Sequence, residues 1–299
     1  MRLESQSAIA DKFDPSPHLG ISWGLGKKRS ATPRVVLRFG TGIFYSRFSV
    51  SDLLTVARQG DATKQQTYLL TNPSFTAASI PSTGELAATT SPSVYQLAPD
   101  LRSVYEIDSS VSADVGLGKR SSLSLTFLDK EQRHQWVSIN ANAPLSDGAR
   151  PYGASAGNLY QFTSDATGRG TWFYVDPRYR LNNTISFMGH FNFKRQNSST
   201  MGETSFASNS YDVHQDYGRS SSDRRQSAYV ALNLALKRGF HSAFVLNARA
   251  GEPFNITTGA DNNGDTIFND RPSFASAASD PKYVVHTVYG NLNMRPKPG

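Results

Sequence analysis

A chain of 299 residues with 38% hydrophobic residues can form one large β-domain or two smaller domains. It has no cysteine, which excludes a disulfide-stapled scaffold, a Cys-ligated zinc site and a Cys nucleophile. The net charge is +7, but the 31 Lys and Arg residues are spread out apart from the cluster Lys27, Lys28 and Arg29, so we expect no nucleic-acid partner. An anionic membrane surface or an anionic ligand explains this charge equally well.

The first elements are two strands with a short basic turn over residues 27–33. Residues 19–26 alternate apolar and small residues, and residues 34–48 place Val35, Leu37 and Phe39 on one face. Gly40 and Gly42 leave the other face almost bare, which suits either a wall that another group approaches closely or a β-bulge. The acidic N-terminus lacks the apolar core of a signal peptide, so we expect the sequence to be a piece of an exported protein.

The middle of the chain predicts two further hairpins. The alternation stops over residues 49–100, where SDLLTVARQG favours a helical turn and the Ser/Thr/Pro-rich stretch 77–99 favours a long excursion. It resumes over residues 102–140, in two strands joined by a tight turn at residues 118–120. Glu106, Asp108 and Asp114 share a face there, which should meet a watery lumen or solvent.

A strand around residues 171–180 and another over 184–196 form the third hairpin. The most informative stretch is 211–272, in which a polar loop leads into two alternating segments, 227–237 and 240–250, separated by Arg238 and Gly239. A second long polar loop follows. A tight turn at one end and long loops at the other are typical of outer-membrane barrels. Residues 283–294 are a predicted last strand.

Strand length separates two readings of this pattern. The predicted strands run roughly 10 to 13 residues, whereas a tilted strand needs about 9–11 residues to cross a bilayer. A soluble β-sandwich would have shorter strands and more even loops. The lengths therefore favour a membrane barrel.

The motif DNNGDTIFND, residues 261–270, is the sharpest local feature. Asp261, Asn263 and Asp265 are spaced like the first three oxygen ligands of a calcium loop, and Asp270 with backbone carbonyls could complete a site. Thr266 replaces the glycine of the EF-hand pattern, and Pro272 replaces its bidentate glutamate. The alternative is a turn in which Asn and Gly adopt positive φ. Both interpretations remain open at this stage.

Catalytic signatures are missing from the rest of the sequence. The segment RSSSDRRQ, with Asp216 before it, predicts a salt-bridge network at the base of a loop. The six histidines show no HExxH pattern, and no nucleophile stands beside a base. We therefore expect no catalytic residues, no enzymatic activity and no cofactor other than calcium.

Several segments together carry a family likeness: HLGISWGLG, RVVLRFGTGIFYSRF, YQFTS, YDVHQDYGRSSSDRRQ and GEPFNITTGADNNGDTIFNDRP. They resemble the barrel portion of TonB-dependent receptors, and more closely the Oar-like subgroup that carries a carboxypeptidase-regulatory-like domain. This resemblance implies that residues 1–299 are part of a barrel domain. The plug, the TonB box and the regulatory-like domain would then lie upstream, outside this sequence. Such transporters close at about 22 strands.

The expected fold is all-β: an antiparallel up-and-down transmembrane β-barrel portion of about eight or nine long strands, incomplete, with long extracellular loops. The expected function is a receptor or transporter segment in the outer membrane of a Gram-negative bacterium, which imports or exports an unidentified ligand. Its partners would be outer-membrane lipid, a small ligand or glycan, and the TonB complex through the upstream plug. The alternative is a secreted or cell-surface β-protein that binds glycan or calcium through its loops.

Overall fold

A computed structural model describes residues 2–9, 11–26, 34–61, 63–65, 67, 75–76, 79–80, 82, 93–145 and 147–296. The predicted basic turn at residues 27–33 and most of the predicted excursion 77–99 lie outside these residues. Within the described ranges, eight strands follow one another along a single sheet. They are β1 His18–Leu25, β2 Val35–Tyr45, β3 Tyr105–Gly116, β4 Ser121–Asn140, β5 Asn158–Arg180, β6 Ile185–Ser198, β7 Gln226–Ala235 and β8 His241–Arg249.

Shorter elements surround this sheet. Strand Ser93–Leu97 pairs in parallel with β5, and Gly218–Arg219 pairs with β6. Helix α1, Val50–Gln59, confirms the predicted helical turn. Among the described residues, no helix combines the length and apolarity needed to cross a membrane. The remaining pieces are strands Arg2–Glu4, Asp14–Ser16, Ser273–Phe274, Val284–Thr287 and Gly290–Asn293, and the 3-10 turns Ala154–Ala156, Val213–Asp216, Lys237–Gly239 and Pro281–Tyr283.

Each strand from β1 to β8 is antiparallel to its neighbours, which is the predicted up-and-down order. The connections after β3, β5 and β7 are short, and those after β2, β4 and β6 are long, so the long loops lie at one end of the sheet. The predicted pairing across Arg238 and Gly239 is confirmed, with Ala228 opposite Ala248. In the described residues β1 and β8 are the edges of this sheet, which leaves the barrel incomplete as expected.

Strand β5 is longer than the sequence indicates. It was predicted around residues 171–180, but it runs unbroken for 23 residues from Asn158. Its first half contains glycines and lacks the alternation that reveals a strand. Backbone pairing with β4 along nearly its whole length holds it extended. A register shift interrupts this pairing near His134, whose φ of 55° marks a bulge. Beyond it β4 and β5 stay paired and run past the ends of β3 and β6.

Two other expectations are settled by register. Pairing of β1 with β2 and of β2 with β3 is continuous, so the bulge suggested by Gly40 and Gly42 is absent. Instead, a Cβ at Gly42 would lie 2.5 Å from Cδ2 of His18, so the glycine makes room for that ring. The predicted last strand, 283–294, is a hairpin that turns at Gly290, where φ is 122°, within a separate three-stranded sheet.

The sheet has one continuous apolar face, here called the apolar belt. Because side chains alternate between the two faces of a strand, register decides which residues form rows across it. One row crosses all eight strands, and it consists of Trp23, Leu37, Ala113, Leu125, Val175, Phe191, Ala228 and Ala248. The rows on either side add Ile21, Phe39, Val111, Phe127, Phe173 and Phe193, and Leu25, Val35, Val115, Leu123 and Pro177.

The height of the apolar belt matches a membrane. On β6 it runs from Ile185 to Phe193, which is ~27 Å along the strand and ~20 Å at a tilt of ~40°. Towards the long loops the same face becomes charged, because Asp129 and Arg169 follow on β4 and β5 and pair at 3.3 Å. These charges set the outward limit of the apolar surface.

The opposite face of the sheet is polar. Lys130 lies 3.0 Å from Glu106 and 2.9 Å from Asp108, and Arg38 pairs with Asp114. The three carboxylates therefore lie on the face away from the apolar belt, as the sequence predicts for a lumen. Farther along the sheet, Nδ1 of His190 is 2.6 Å from Asp176. Charges held in pairs on a half-exposed surface suit a water-filled interior.

We call the part of the eight-stranded sheet that carries the apolar belt the wall. The protein's buried core lies outside the wall, at the end of the sheet that carries the long loops. Trp136 near the end of β4 contacts Phe48 at 4.9 Å between ring centroids, and Phe48 contacts Phe162 of β5 at 5.6 Å. The other buried members of this cluster are Ile9, Ala98, Leu101 and Val104. We call this end, with its loops, the cap.

Candidate functional site

The Asp-rich loop 261–270 lies in the cap and is closed by hydrogen bonds from its own backbone. Asp261 accepts from the N–H of Gly264 at 2.7 Å and from that of Thr266 at 2.9 Å. Asn263 accepts from the N–H of Asp265 at 2.9 Å. Gly264 and Thr266 both have positive φ, at 79° and 72°. These bonds are those of side-chain-capped turns, which is the second interpretation offered by the sequence.

The four residues predicted as calcium ligands therefore occupy one loop. Asp270 accepts from the N–H of Asn263 at 3.2 Å and from its side-chain amide at 2.9 Å. Across the described residues, no three His, Cys, Asp or Glu side chains form a group arranged to hold a metal ion. Calcium at Asp261, Asn263, Asp265 and Asp270 stays a prediction.

Asp265 is the most buried acid of the loop, with 3% of its surface exposed. The pKa of its carboxyl is raised to about 6, mainly by burial, and the nearby charges of Asp261 and Asp270 contribute in the same direction. Hydrogen bonds from the N–H of Ile267 at 2.8 Å and the hydroxyl of Ser210 at 3.1 Å act in the opposite direction. The pKa of Asp270 is also raised, mainly by burial. The loop is thus sensitive to mildly acidic pH.

Asn140, at the end of β4, anchors this loop. It is fully buried, and its Nδ2 donates to the carbonyl of Asp265 at 2.8 Å. Its Oδ1 accepts from the N–H groups of Asn142 and Leu159, both at 3.1 Å. One side chain thus ties the strand end, the neighbouring strand and the distant loop together. Sequence reasoning missed Asn140, because an Asn at the end of a strand is an ordinary turn residue.

The predicted salt-bridge network is present, and it extends beyond the predicted residues to Glu252. Asp223 is 1% exposed and holds Arg219 at 2.8 Å, while its Oδ1 accepts from the N–H of Gln196 on β6 at 2.9 Å. Arg225 is more distant from Asp223, at 3.7 Å. Arg224 pairs instead with Glu252 at 2.7 Å. The network fixes the loop 199–225 to the wall and to the start of the next long loop.

A cleft of about 380 Å³ opens between the loops 199–225 and 250–272. We call it the outward cleft. Charged groups at its wall are Arg219 and the pair Asp216–Arg271, 3.1 Å apart. The other lining residues are mostly hydroxyl and amide side chains with a few apolar ones: Ser198, Ser199, Thr200, Met201, Ser205, Phe206, Ser208, Ser220, Ser221, Pro253, Phe254, Asn255, Thr257 and Asn269. No motif in the sequence predicts this cleft.

A wall with an apolar belt on one side, paired charges on the other and a packed loop cap at one end defines an outer-membrane β-barrel. Comparisons with known proteins agree. Residues 4–293 match the model of the outer membrane beta barrel domain family. The chain belongs to this family and is an outer-membrane protein of a Gram-negative bacterium.

Among solved structures, the outer membrane transporter YddB from Escherichia coli is similar in fold, with a TM-score of 0.61 at 9% identity over 97% of this chain and 33% of that one. The siderophore receptor PirA from Pseudomonas aeruginosa aligns over 82% of this chain and 36% of that one, with a TM-score of 0.40 at 12% identity. The chain thus spans about a third of the length of these proteins. No curated protein matches.

Proposed function

We propose that this chain forms part of the wall and the ligand-binding cap of an outer-membrane TonB-dependent receptor or transporter of the Oar-like subgroup. The apolar belt carries this proposal, because a row of apolar side chains across eight adjacent strands needs hydrocarbon as its solvent. The solved transporter with the same fold supports it. A ligand would meet the cap first and then pass the polar face in either direction, as import or export.

In this proposal the cap determines which ligand is bound, and the wall provides the scaffold that spans the membrane. Loops placed on a rigid sheet are where barrels bind ligands, and the cap's own buried core holds these loops in place. No catalytic role is proposed for any residue. Coupling to the TonB complex would occur through a plug upstream of this chain.

Cysteine labelling tests the orientation, since the chain has no native cysteine. In the full-length protein, Thr257→Cys in the outward cleft should react with a membrane-impermeant maleimide on intact cells. Lys119→Cys, on the short turn after β3, should react only after the outer membrane is permeabilised. Labelling of both positions on intact cells would contradict a spanning wall.

Membrane extraction and TonB capture complete the test. The full-length protein should stay with membranes in carbonate and in urea, whereas the alternative of a secreted or surface-bound β-protein predicts release. TonB should copurify with the detergent-solubilised protein. Retention in membranes without TonB capture would keep the barrel and overturn the coupling.

A further inference from the structure

We propose that the outward cleft binds a neutral, polyhydroxylated ligand of the oligosaccharide class. This inference rests on the proposed function in one respect, namely that the cap faces the outside of the cell. It is otherwise argued from the charge, hydrogen-bonding groups and aromatic surface of the cleft.

The charges of the outward cleft are balanced. Asp216 lies 3.1 Å from Arg271, and it also accepts from the N–H of Ser208 at 2.7 Å and from its hydroxyl at 2.6 Å. Arg219 donates from Nε to Asp223 at 2.8 Å and from Nη2 to the carbonyl of Asp223 at 3.0 Å. An anionic ligand would compete with carboxylates already in place, whereas a neutral ligand would not disturb these pairs.

One residue of the lining, Asn269, has an unsatisfied acceptor. Oδ1 of Asn269 is buried and has no hydrogen-bond partner among the described groups. The Nδ2 atom of the same side chain donates to the carbonyl of Phe206 at 2.9 Å and to that of Ala207 at 3.3 Å. These two carbonyls fix the orientation of the amide, because the reversed amide would place oxygen against oxygen. A buried acceptor without a donor costs free energy, which a ligand hydroxyl would recover if a small movement of the loop opened this atom to the cleft.

The other polar groups of the outward cleft can donate and accept. Hydroxyl groups do both, so the serines and threonines of the lining match a ligand that also carries hydroxyls. Asn255 is the clearest donor, because its Nδ2 contacts the sulfur of Met201 at 3.8 Å, a weak interaction that a ligand oxygen would improve. Sugar hydroxyls satisfy both kinds of partner, whereas a carboxylate or phosphate ester satisfies mainly donors.

An aromatic surface stands beside these polar groups. The ring of Phe254 is 64% exposed and meets the ring of Tyr289 edge-on at 5.6 Å between centroids. An exposed, positioned ring next to hydroxyls and amides suits the apolar C–H face of a pyranose, which hides its carbons against the ring while its hydroxyls point outward.

A second cleft extends the first towards the polar face of the wall. It has a volume of about 460 Å³ and shares Ser198, Thr200, Met201, Ser220 and Ser221 with the outward cleft. Its inner lining includes Gln132, Gln135 and Gln196, and also Glu106, whose charge is held by Lys130 at 3.0 Å. The two clefts therefore adjoin along shared lining residues, and Glu203 adds a negative charge to the second one. A chain of several sugar units fits the two adjoining clefts better than a single sugar.

Isothermal titration calorimetry on the full-length protein in detergent micelles tests the ligand class. The probes are four neutral hexasaccharides with different linkages (maltohexaose, cellohexaose, laminarihexaose and chitohexaose) and ferric citrate as an anionic chelate. At least one hexasaccharide should bind, and ferric citrate should not. Phe254→Ala should weaken that binding about tenfold, and Asn255→Ala about threefold.

The matched control is Phe274→Ala, which removes another exposed ring, in the separate three-stranded sheet, and should leave the Kd within about twofold. Binding of ferric citrate alone, binding of no hexasaccharide, or binding insensitive to Phe254→Ala would each overturn the inference. None of these results changes the labelling pattern of Thr257→Cys and Lys119→Cys, so failure of the ligand class is distinguishable from failure of the proposed barrel.

Discussion

The wall and the cap use the same kinds of apolar residue in opposite ways. In the wall, Trp23 is 63% exposed and Phe244 is 60% exposed, whereas in the cap Trp136 is 7% exposed and Phe162 is 2% exposed. Among the residues that the structure describes, no second layer covers the apolar side chains of the wall, whereas the cap packs its own against loops and strand ends. The difference shows that the wall is built for hydrocarbon and the cap for water.

The strands β4 and β5 join the two regions. The half of each strand next to the short turns carries the apolar belt. Beyond the register shift near His134, the half next to the long loops supplies Trp136 and Phe162 to the buried core. One pair of strands therefore runs from the region built for hydrocarbon into the region built for water. These two strands hold the cap in place on the wall. The wall and the cap can therefore be compared experimentally with single substitutions in each region.

The largest expected effect is on the core of the cap. Trp136→Ala should lower the local opening free energy of residues 93–104 by about 3–5 kcal/mol, because the ring is buried and its Nε1 donates to the carbonyl of Arg102 at 2.8 Å. Hydrogen exchange measured by mass spectrometry would report this loss. The matched variant Trp23→Ala should leave exchange in the cap unchanged. Equal effects of the two variants would show that the cap is not an independent packing unit.

A second prediction concerns the two faces of the wall. Leu125→Arg should destabilise the folded protein in lipid vesicles by about 2–4 kcal/mol, because it places a charge in the apolar belt. The adjacent Thr126→Arg, on the polar face, should cost less than about 1 kcal/mol. Denaturant titrations in vesicles measure both. If Thr126→Arg proved the more costly, the assignment of the faces would be reversed.

A third prediction uses the acidity of the cap. Because the pKa of Asp265 is raised to about 6 in the fold, its contribution to stability is complete below its unfolded pKa and is lost as pH rises through 6. Protection of residues 255–272, corrected for intrinsic exchange, should fall by about 2–2.5 kcal/mol between pH 4 and pH 7. Asp265→Asn should remove most of this dependence, and Asp280→Asn, on another loop, should not. A wild-type protection that does not vary with pH would contradict a buried carboxyl.

The smallest expected effect tests the calcium prediction. At pH 7.5, 5 mM CaCl₂ should raise protection of residues 255–272 by about 1–2 kcal/mol if the loop binds with a Kd of about 0.1–1 mM. MgCl₂ at the same concentration is the control, and Asp261→Asn should abolish the calcium effect. Protection that is unchanged by calcium would leave the loop as a hydrogen-bonded turn.

Much of the wall could be predicted from the sequence. Alternation over residues 34–48, 102–118 and 184–196 placed each side chain on its face, because a strand has a period of two whatever surrounds it. The first half of β5 escaped this reasoning, since backbone pairing holds it and its side chains do not alternate. The cap escaped too, because Asn140 meets the loop at Asp265 from 125 positions away.

By itself, the sequence determined the hairpins, the end of the sheet that carries the long loops, and the apolar character of one face. These follow from local periodicity and turn chemistry, which act over a few residues. Only the tertiary structure decided that β4 and β5 extend past their neighbours and contribute to a buried core, that Asp265 is buried, and that the loops 199–225 and 250–272 enclose a cleft. Such features depend on contacts between distant segments, and no local pattern records them.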